Sequence, residues 1–172
     1  MAPIAVRLAR EVPAGRIGIA AASVGVAAAA VQVVGLLRWP LIVPFLAASM
    51  EGASPSQRLA IAAQFTTLDT VLGQMLGETL GYLFTAAWTV LVIIALRRTA
   101  VIGRLLAVLG FASAALILTG DLIPFDVPGT DAANFIGYVL WSVWLVLLGL
   151  VFIRRVGGSA LADRLTHPVA AS

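Results

Sequence analysis

The stretch GQMLGETLGYLFTAAWTVLVIIAL, residues 73–96, decides the fold class because it is long and apolar enough to cross a lipid bilayer. Crossing about 30 Å of hydrocarbon takes roughly 20 predominantly apolar residues in a helix. Three further stretches meet this criterion, at about residues 17–37, 101–120 and 133–153. The sequence therefore predicts an all-α polytopic membrane protein, a bundle of four transmembrane helices in a single membrane domain over residues 1–172.

The overall composition supports a membrane protein. Of the 172 residues, 61% are hydrophobic and 11% are charged, and the mean hydropathy is +1.05. A soluble globular domain is about half apolar and about a quarter charged. A chain of this length can bury only part of its apolar surface in a core that faces water. The remaining apolar surface requires the lipid bilayer as its partner.

Missing residue types exclude several kinds of chemistry. The chain has no cysteine and no lysine, and its one histidine, His167, lies in the polar C-terminal tail. Disulfides, thiolate metal sites and Schiff-base cofactors are thereby excluded, so we expect no metal site and no cofactor. The net charge of +3 and the pI near 10.6 reflect arginines placed for membrane topology, so we expect no nucleic-acid partner.

The arginines predict the orientation of the chain in the membrane. With the N-terminus in the cytoplasm, only Arg38 and Arg58 lie on the outer side, and nine arginines lie on the cytoplasmic side, as the positive-inside rule requires. The nine are Arg7, Arg10, Arg16, Arg97, Arg98, Arg104, Arg154, Arg155 and Arg164. Most acidic residues fall at or beyond the outer face, whereas Glu11 and Asp163 fall inside. We predict a multi-pass protein of the bacterial inner membrane with both termini in the cytoplasm.

Residues 38–72 form the predicted outer loop. Its first part, PLIVPFLAASM, is only half a span long, and Pro40 and Pro44 disfavour a smooth helix, which predicts an interfacial or partly re-entrant cap. Its second part begins like a helix, with Ser54 as the N-cap, and has one apolar face that predicts an amphipathic helix at the outer surface. Gly73 is the predicted hinge if this helix is separate from the second span.

A second external connection, residues 121–132, is predicted as a tight turn. It contains Pro124, Pro128 and Gly129, which are typical turn residues. Asp131 is expected to cap the fourth span and complement its N-terminal dipole.

Three glycines in the second span, Gly73, Gly77 and Gly81, recur at intervals of four and so lie on one helix face. In lipid such a strip lets another backbone approach closely. We interpret it as a helix-packing interface, although such patterns also arise by chance in helices rich in glycine and alanine. The sequence leaves open whether the partner is a helix of this chain, a second copy or another membrane protein.

Polar side chains from all four helices are expected at one depth near the outer surface. About 20 residues counted back from Arg98 reach Glu78, which therefore lies within about a turn of the headgroups. The predicted site consists of Glu78, Arg38, Gln32, Gln74, Asp121, Asn134 and Tyr138. Two interpretations stay open. In the first, the site is a closed network in which Glu78 accepts hydrogen bonds from Arg38, Tyr138 or Asn134. In the second, it is an open pocket in which Glu78 and Asp121 bind a proton, a cation or a small ligand.

Three tryptophans fall near the middle of the predicted membrane: Trp88, Trp141 and Trp144. Bulky side chains at this depth fill space opposite glycines, which is the interpretation we favour. A slot for a porphyrin, quinone or carotenoid is the alternative.

Three segments resemble a known family. They are RWPLIVPFLA after the first span, LGETLGYLFTAAWTVL in the second, and GYVLWSVWLVLLGLVFIRR in the fourth. Together, over about residues 16–155, they resemble small bacterial membrane proteins catalogued as domain of unknown function 4386. The resemblance implies the fold and the topology, and makes the region around Glu78 a family feature. It implies no activity.

Three functions are compatible with these features. The favoured one is a non-catalytic accessory or sensor protein that associates through its helices, because no set of catalytic residues is evident. The alternative is a small transporter or channel for a proton, a cation or an amphipathic molecule that uses Glu78 and Asp121. The third is an enzyme acting on lipids, with Glu78 as acid or base and Arg38 holding a phosphate.

Overall fold

The structure, a computed structural model, describes residues 15–166, with side chains described as far as Arg155. Six α-helices are described: α1 Arg16–Leu41, α2 Val43–Ser49, α3 Pro55–Leu68, α4 Gly81–Arg98, α5 Arg104–Leu118 and α6 Thr130–Thr166. A π-helical segment, Asp69–Leu80, joins α3 to α4, and a 3₁₀ segment, Thr119–Phe125, extends α5. Within this range there is no β-strand. Arg7, Arg10, Glu11 and His167 lie outside the described residues, as do the side chains of Asp163 and Arg164.

Within the described residues, four helical runs are long and apolar enough to span a membrane, which confirms the predicted fold class. They are Arg16–Ser49, Pro55–Arg98, Arg104–Phe125 and Thr130–Arg155, here called the first to fourth spans. The two ends of the bundle differ in charge. The arginine-rich end carries Arg97, Arg98, Arg104 and Arg154, and the acidic end carries Asp69, Glu78, Asp121 and Asp131. Which end faces the cytoplasm stays a prediction.

The spans pack in chain order around an aromatic core. α1 packs along the second span, the second span along the third, and the third along the fourth. Trp88 of the second span contacts Trp141 and Trp144 of the fourth edge-on, each at 6.3 Å between ring centroids. Trp88 and Trp144 are fully buried. These tryptophans therefore fill the interior between the second and fourth spans, as the packing interpretation predicts.

The first span is longer than the sequence predicts. α1 continues through Pro40 to Leu41, and α2 follows directly, so the predicted interfacial or re-entrant cap is helical. Pro40 has no backbone donor, and its ring crowds the carbonyl one turn earlier, yet the helical bonding resumes with Ile42 N donating to the Arg38 carbonyl at 2.9 Å. Pro44 lies in the first turn of α2, where a backbone donor is not required.

The second span is one unbroken helical run of 44 residues. The predicted start is present: Ser54 caps α3, and Gln57 completes a capping box. Gly73, the predicted hinge, instead lies inside the π-helical segment, so the helical run is not interrupted there. α3 therefore continues the second span beyond the acidic end.

The connection between the third and fourth spans is shorter than predicted. Asp121 and the four residues after it belong to the 3₁₀ segment rather than to a turn. The turn occupies residues 126–129, where Asp126 and Gly129 have positive φ values of 52° and 84°. Asp131 lies in the first turn of α6, where its charge favours the helix dipole.

Candidate functional site

The second span presents a row of small and polar side chains at intervals of four, and α1 packs along it. The row consists of Asp69, Gly73, Gly77, Gly81, Thr85 and Thr89. The buried residues of α1 are all small: Gly18, Ala21, Gly25, Ala28 and Gly35. The helix that covers the predicted glycine strip is thus α1 of the same chain. We call this contact between α1 and the second span the seam.

The two backbones touch at the acidic end of the seam. A Cβ atom added to Gly35 would lie 2.8 Å from the Gly77 Cα and 3.1 Å from the Leu72 carbonyl oxygen, closer than ordinary van der Waals contact. A Cβ on Gly73 would lie 2.8 Å from Nη2 of Arg38. At Gly81 there is more room, because the nearest atom, Cγ of Gln32, would be 3.9 Å away. Glycine is therefore required most strictly at Gly35.

Arg38 lies over Gly73 and forms an ion pair with Asp69. The Arg38 Nε donates to Asp69 Oδ1 at 3.0 Å, and Nη1 donates to the Gly35 carbonyl at 2.7 Å. The two side chains are 14% and 29% exposed. The sequence interpretation placed Arg38 beside Glu78 and did not include Asp69 in the site. The spacing of the residues could have identified Asp69, because Asp69 precedes Gly73 by four residues and so lies on the same helix face as the glycines.

A chain of hydrogen bonds connects three spans below this pair. Gln32 Nε2 donates to Thr85 Oγ1 at 3.2 Å. Thr89 Oγ1 donates to the Thr85 carbonyl at 2.8 Å and accepts from Trp141 Nε1 at 2.9 Å. Thr85 and Thr89 are fully buried, and the sequence interpretation missed both. These bonds hold the register of the second span against the first and fourth spans, because a shift would leave the buried threonine hydroxyls without partners.

Tyr82, Asn134 and Tyr138 form a packed layer at the acidic end. Asn134 Nδ2 donates to the Ile117 carbonyl at 2.7 Å, and the two tyrosine rings lie 5.9 Å apart. Gly120 fits against Asn134 and Tyr82 so closely that a Cβ there would overlap both. These contacts close the space between the second, third and fourth spans at this level.

The acidic side chains surround this layer without closing over it. Glu78 and Gln74 are exposed, and neither forms a side-chain hydrogen bond to a described residue. Asp121 Oδ1 is buried and has no hydrogen-bond partner in the described part of the chain. Among those residues no three His, Cys, Asp or Glu side chains are grouped as metal ligands.

The predicted polar site is thus divided into three parts. Gln32 and Arg38 belong to the seam, and Asn134 and Tyr138 belong to the packed layer around Tyr82. Gln74, Glu78 and Asp121 form an acidic rim around that layer. The predicted bonds from Arg38 or Asn134 to Glu78 are replaced by bonds to Asp69 and the Ile117 carbonyl.

Comparison with known proteins gives one match. A family model described as "Domain of unknown function (DUF4386)" matches residues 6–149, a range that contains every candidate site residue. No curated protein and no solved structure matches the chain.

Proposed function

We propose that the chain, which belongs to the family described as domain of unknown function 4386, is a non-catalytic inner-membrane protein that associates with other proteins. The surface proposed for association is the outer hairpin, defined as α2, α3 and the turn between them, residues 43–68. One observation carries the proposal: no residue of α3 is buried, and both helices of the hairpin expose large apolar side chains.

The length of the helices supports a position of the outer hairpin outside the hydrocarbon. The α-helical parts of the second span, 14 and 18 residues long, alone measure about 48 Å at 1.5 Å per residue, which already exceeds the hydrocarbon thickness of about 30 Å. Counting roughly 20 residues from Arg98 reaches Glu78, and counting the same length from Arg16 reaches Gly35. The Arg38–Asp69 pair then lies at headgroup level, with the outer hairpin in water beyond it.

The outer hairpin exposes apolar side chains that lipid does not cover at that height. Phe45 is 72% exposed and Leu59 is 74% exposed, and none of the fourteen residues of α3 is buried. Exposed apolar surface on an extramembrane segment is typical of a protein contact. The glycine strip offers no such surface, because α1 already covers it.

The proposed orientation places the arginine-rich end and both termini in the cytoplasm, in accord with the positive-inside rule. The outer hairpin then meets a partner on the periplasmic side, either a second copy or another membrane protein. Buried and partly exposed hydroxyls support a non-catalytic role. Ser113 Oγ donates to the Gly110 carbonyl and Ser142 Oγ to the Tyr138 carbonyl, each at 2.9 Å, so both are engaged by their own helices.

Site-directed photocrosslinking tests the proposed contact. The chain has no natural cysteine, so Leu59→Cys introduces the only thiol, which is then labelled with a benzophenone maleimide in native membranes. We expect a crosslinked product from position 59, with twice the 17.8 kDa mass of the chain if the partner is a second copy. Phe45→Asp in the same chain should weaken that product, because it adds a charge to the contact surface.

The matched control is Leu105→Cys, a lipid-facing position at the opposite end that is 87% exposed. Equal products from positions 59 and 105 would contradict the proposal. So would a strictly monomeric product at position 59, or a product that Phe45→Asp leaves unchanged.

The acidic rim favours a second candidate, transport of a proton or a cation. The unpartnered Asp121 Oδ1 and the nearby charge of Glu78 would attract a positive ion near the outer surface. The buried tryptophans below close the single bundle, so a pathway would require a second copy or an opening motion. In proteoliposomes we then expect Glu78→Gln and Asp121→Asn to lower proton or cation flux and Glu51→Gln to leave it unchanged. Equal flux in all three variants rejects this candidate.

A further inference from the structure

We propose that a groove between the third and fourth spans, at the arginine-rich end, binds one anionic phospholipid. The groove has a volume of about 350 Å³ and is lined by leucine and valine side chains of both helices, with Arg154 at its mouth. This volume lies within the range of about 300–1,000 Å³ that is typical of small-molecule sites. The inference concerns the end of the bundle opposite the outer hairpin and does not depend on the proposed association.

The groove is directed along the helices into the bilayer. Leu147 lines its deep end and Arg154 its mouth, and seven residues of helix correspond to about 10 Å of depth. Leu105 and Leu150 on its edges are 87% and 45% exposed, so the groove opens toward lipid rather than toward the core. An acyl chain can therefore lie along the groove while its headgroup stays level with Arg154.

Arg154 is the arginine that lines the groove. Its neighbour Arg155 donates through Nη2 to the carbonyls of Ala100 and Val101, at 2.9 and 3.2 Å. Arg97 Nη1 donates to the Ile102 carbonyl at 3.3 Å. These two arginines hold the turn between the second and third spans. Arg154 donates to no described residue, so its planar guanidinium can bind a phosphate with two parallel hydrogen bonds.

The headgroup of the lipid, rather than its acyl chain, provides selectivity. An acyl chain gains little by moving from bulk lipid into an apolar groove, because lipid tails are as apolar as leucine. An arginine near the membrane surface strengthens attraction to an anionic lipid about fivefold. The occupant is accordingly a phospholipid with a net negative headgroup, in the leaflet at the arginine-rich end.

Native mass spectrometry of the full chain in neutral detergent tests this proposal with two lipids of identical acyl chains, a phosphatidylglycerol and a phosphatidylcholine. We expect the wild type to bind phosphatidylglycerol about fivefold more tightly than phosphatidylcholine. Arg154→Gln should remove that preference, and Arg154→Lys should retain most of it. Arg98→Gln is the matched control, since Arg98 lies at the same end but does not line the groove.

A second pair of variants tests the groove itself. Val151→Trp fills the groove and should reduce binding of both lipids, whereas Val146→Trp, a 64% exposed position on the same helix outside the groove, should not. Far-UV circular dichroism of each variant verifies that the helices are intact. Equal binding of the two lipids by the wild type, an unchanged preference in Arg154→Gln, or undiminished binding by Val151→Trp would each overturn the proposal.

Discussion

The contact between Gly35 and Gly77 predicts that the two sides of the seam respond differently to the same substitution. In Gly35→Ala the new methyl group would lie 2.8 Å from the Gly77 Cα and 3.1 Å from the Leu72 carbonyl. Both neighbours are backbone atoms and cannot rotate away. Restoring ordinary contact at 3.4 Å requires the helices to separate by about 0.6 Å, the difference between 3.4 and 2.8 Å.

The magnitude follows from two opposing effects. Overpacking at a tight contact costs about 1–3 kcal/mol, and replacing glycine by alanine in a helix recovers about 0.5–1 kcal/mol. We therefore expect Gly35→Ala to lower the free energy of unfolding by about 1–2 kcal/mol. In Gly77→Ala the methyl group would lie 3.5 Å from the Gly35 Cα and 3.1 Å from the Leu72 carbonyl. This milder contact predicts a loss of less than about 1 kcal/mol.

Equilibrium unfolding in mixed micelles of a neutral detergent and sodium dodecyl sulfate measures these differences by tryptophan fluorescence. Gly149→Ala is the control, because a Cβ there meets no atom within 4 Å. It should be neutral or stabilise the protein by up to about 1 kcal/mol. If Gly35→Ala is as stable as the wild type, or if Gly77→Ala is the more damaging of the two, the backbone contact does not limit stability and the reasoning is wrong.

Two further predictions concern the polar contacts of the seam. In a double-mutant cycle of Arg38→Ala and Asp69→Ala, we expect a coupling free energy of about 1 kcal/mol by the same unfolding assay, because the pair is only partly exposed. A value near zero would show that the ion pair does not contribute to stability. Thr89→Val removes the hydroxyl that accepts a hydrogen bond from the Trp141 indole. It should lower the free energy of unfolding by about 1–2 kcal/mol and shift the tryptophan emission. Thr99→Val, at an exposed helix end, should change neither the stability nor the emission.

The sequence was sufficient for the fold class but not for the ends of the helices. Hydropathy identifies all four spans because burial in lipid requires long apolar helices. It does not show where a helix stops once it leaves the membrane. Pro40 disfavours a smooth helix on sequence grounds, yet it lies near the end of α1, where the helical bonding resumes with Ile42. Gly73 was interpreted as a hinge, yet packing against Arg38 keeps it helical.

The sequence brought Arg38 and Glu78 together, whereas in the structure Arg38 pairs with Asp69. Depth counting brings Arg38 and Glu78 to similar levels, but it does not reveal the side of the helix on which each lies. Asp69 shares the face of Gly73 and reaches Arg38, whereas Glu78 is exposed. The glycines lie four residues apart on one helix face. Continuing the same interval in both directions along the chain leads to Asp69, Thr85 and Thr89.

The ion pair across the seam has a consequence for how the chain is made. Asp69 follows Arg38 by 31 residues, but the second span is complete only at Arg98, so at synthesis rates of about 5–20 residues per second the second helix follows roughly 3–12 s later. During that interval the first helix is alone in the bilayer, and its guanidinium must stay hydrated at the boundary. Only when the second helix is inserted can the guanidinium of Arg38 move over Gly73. From then on the position of the first helix is fixed.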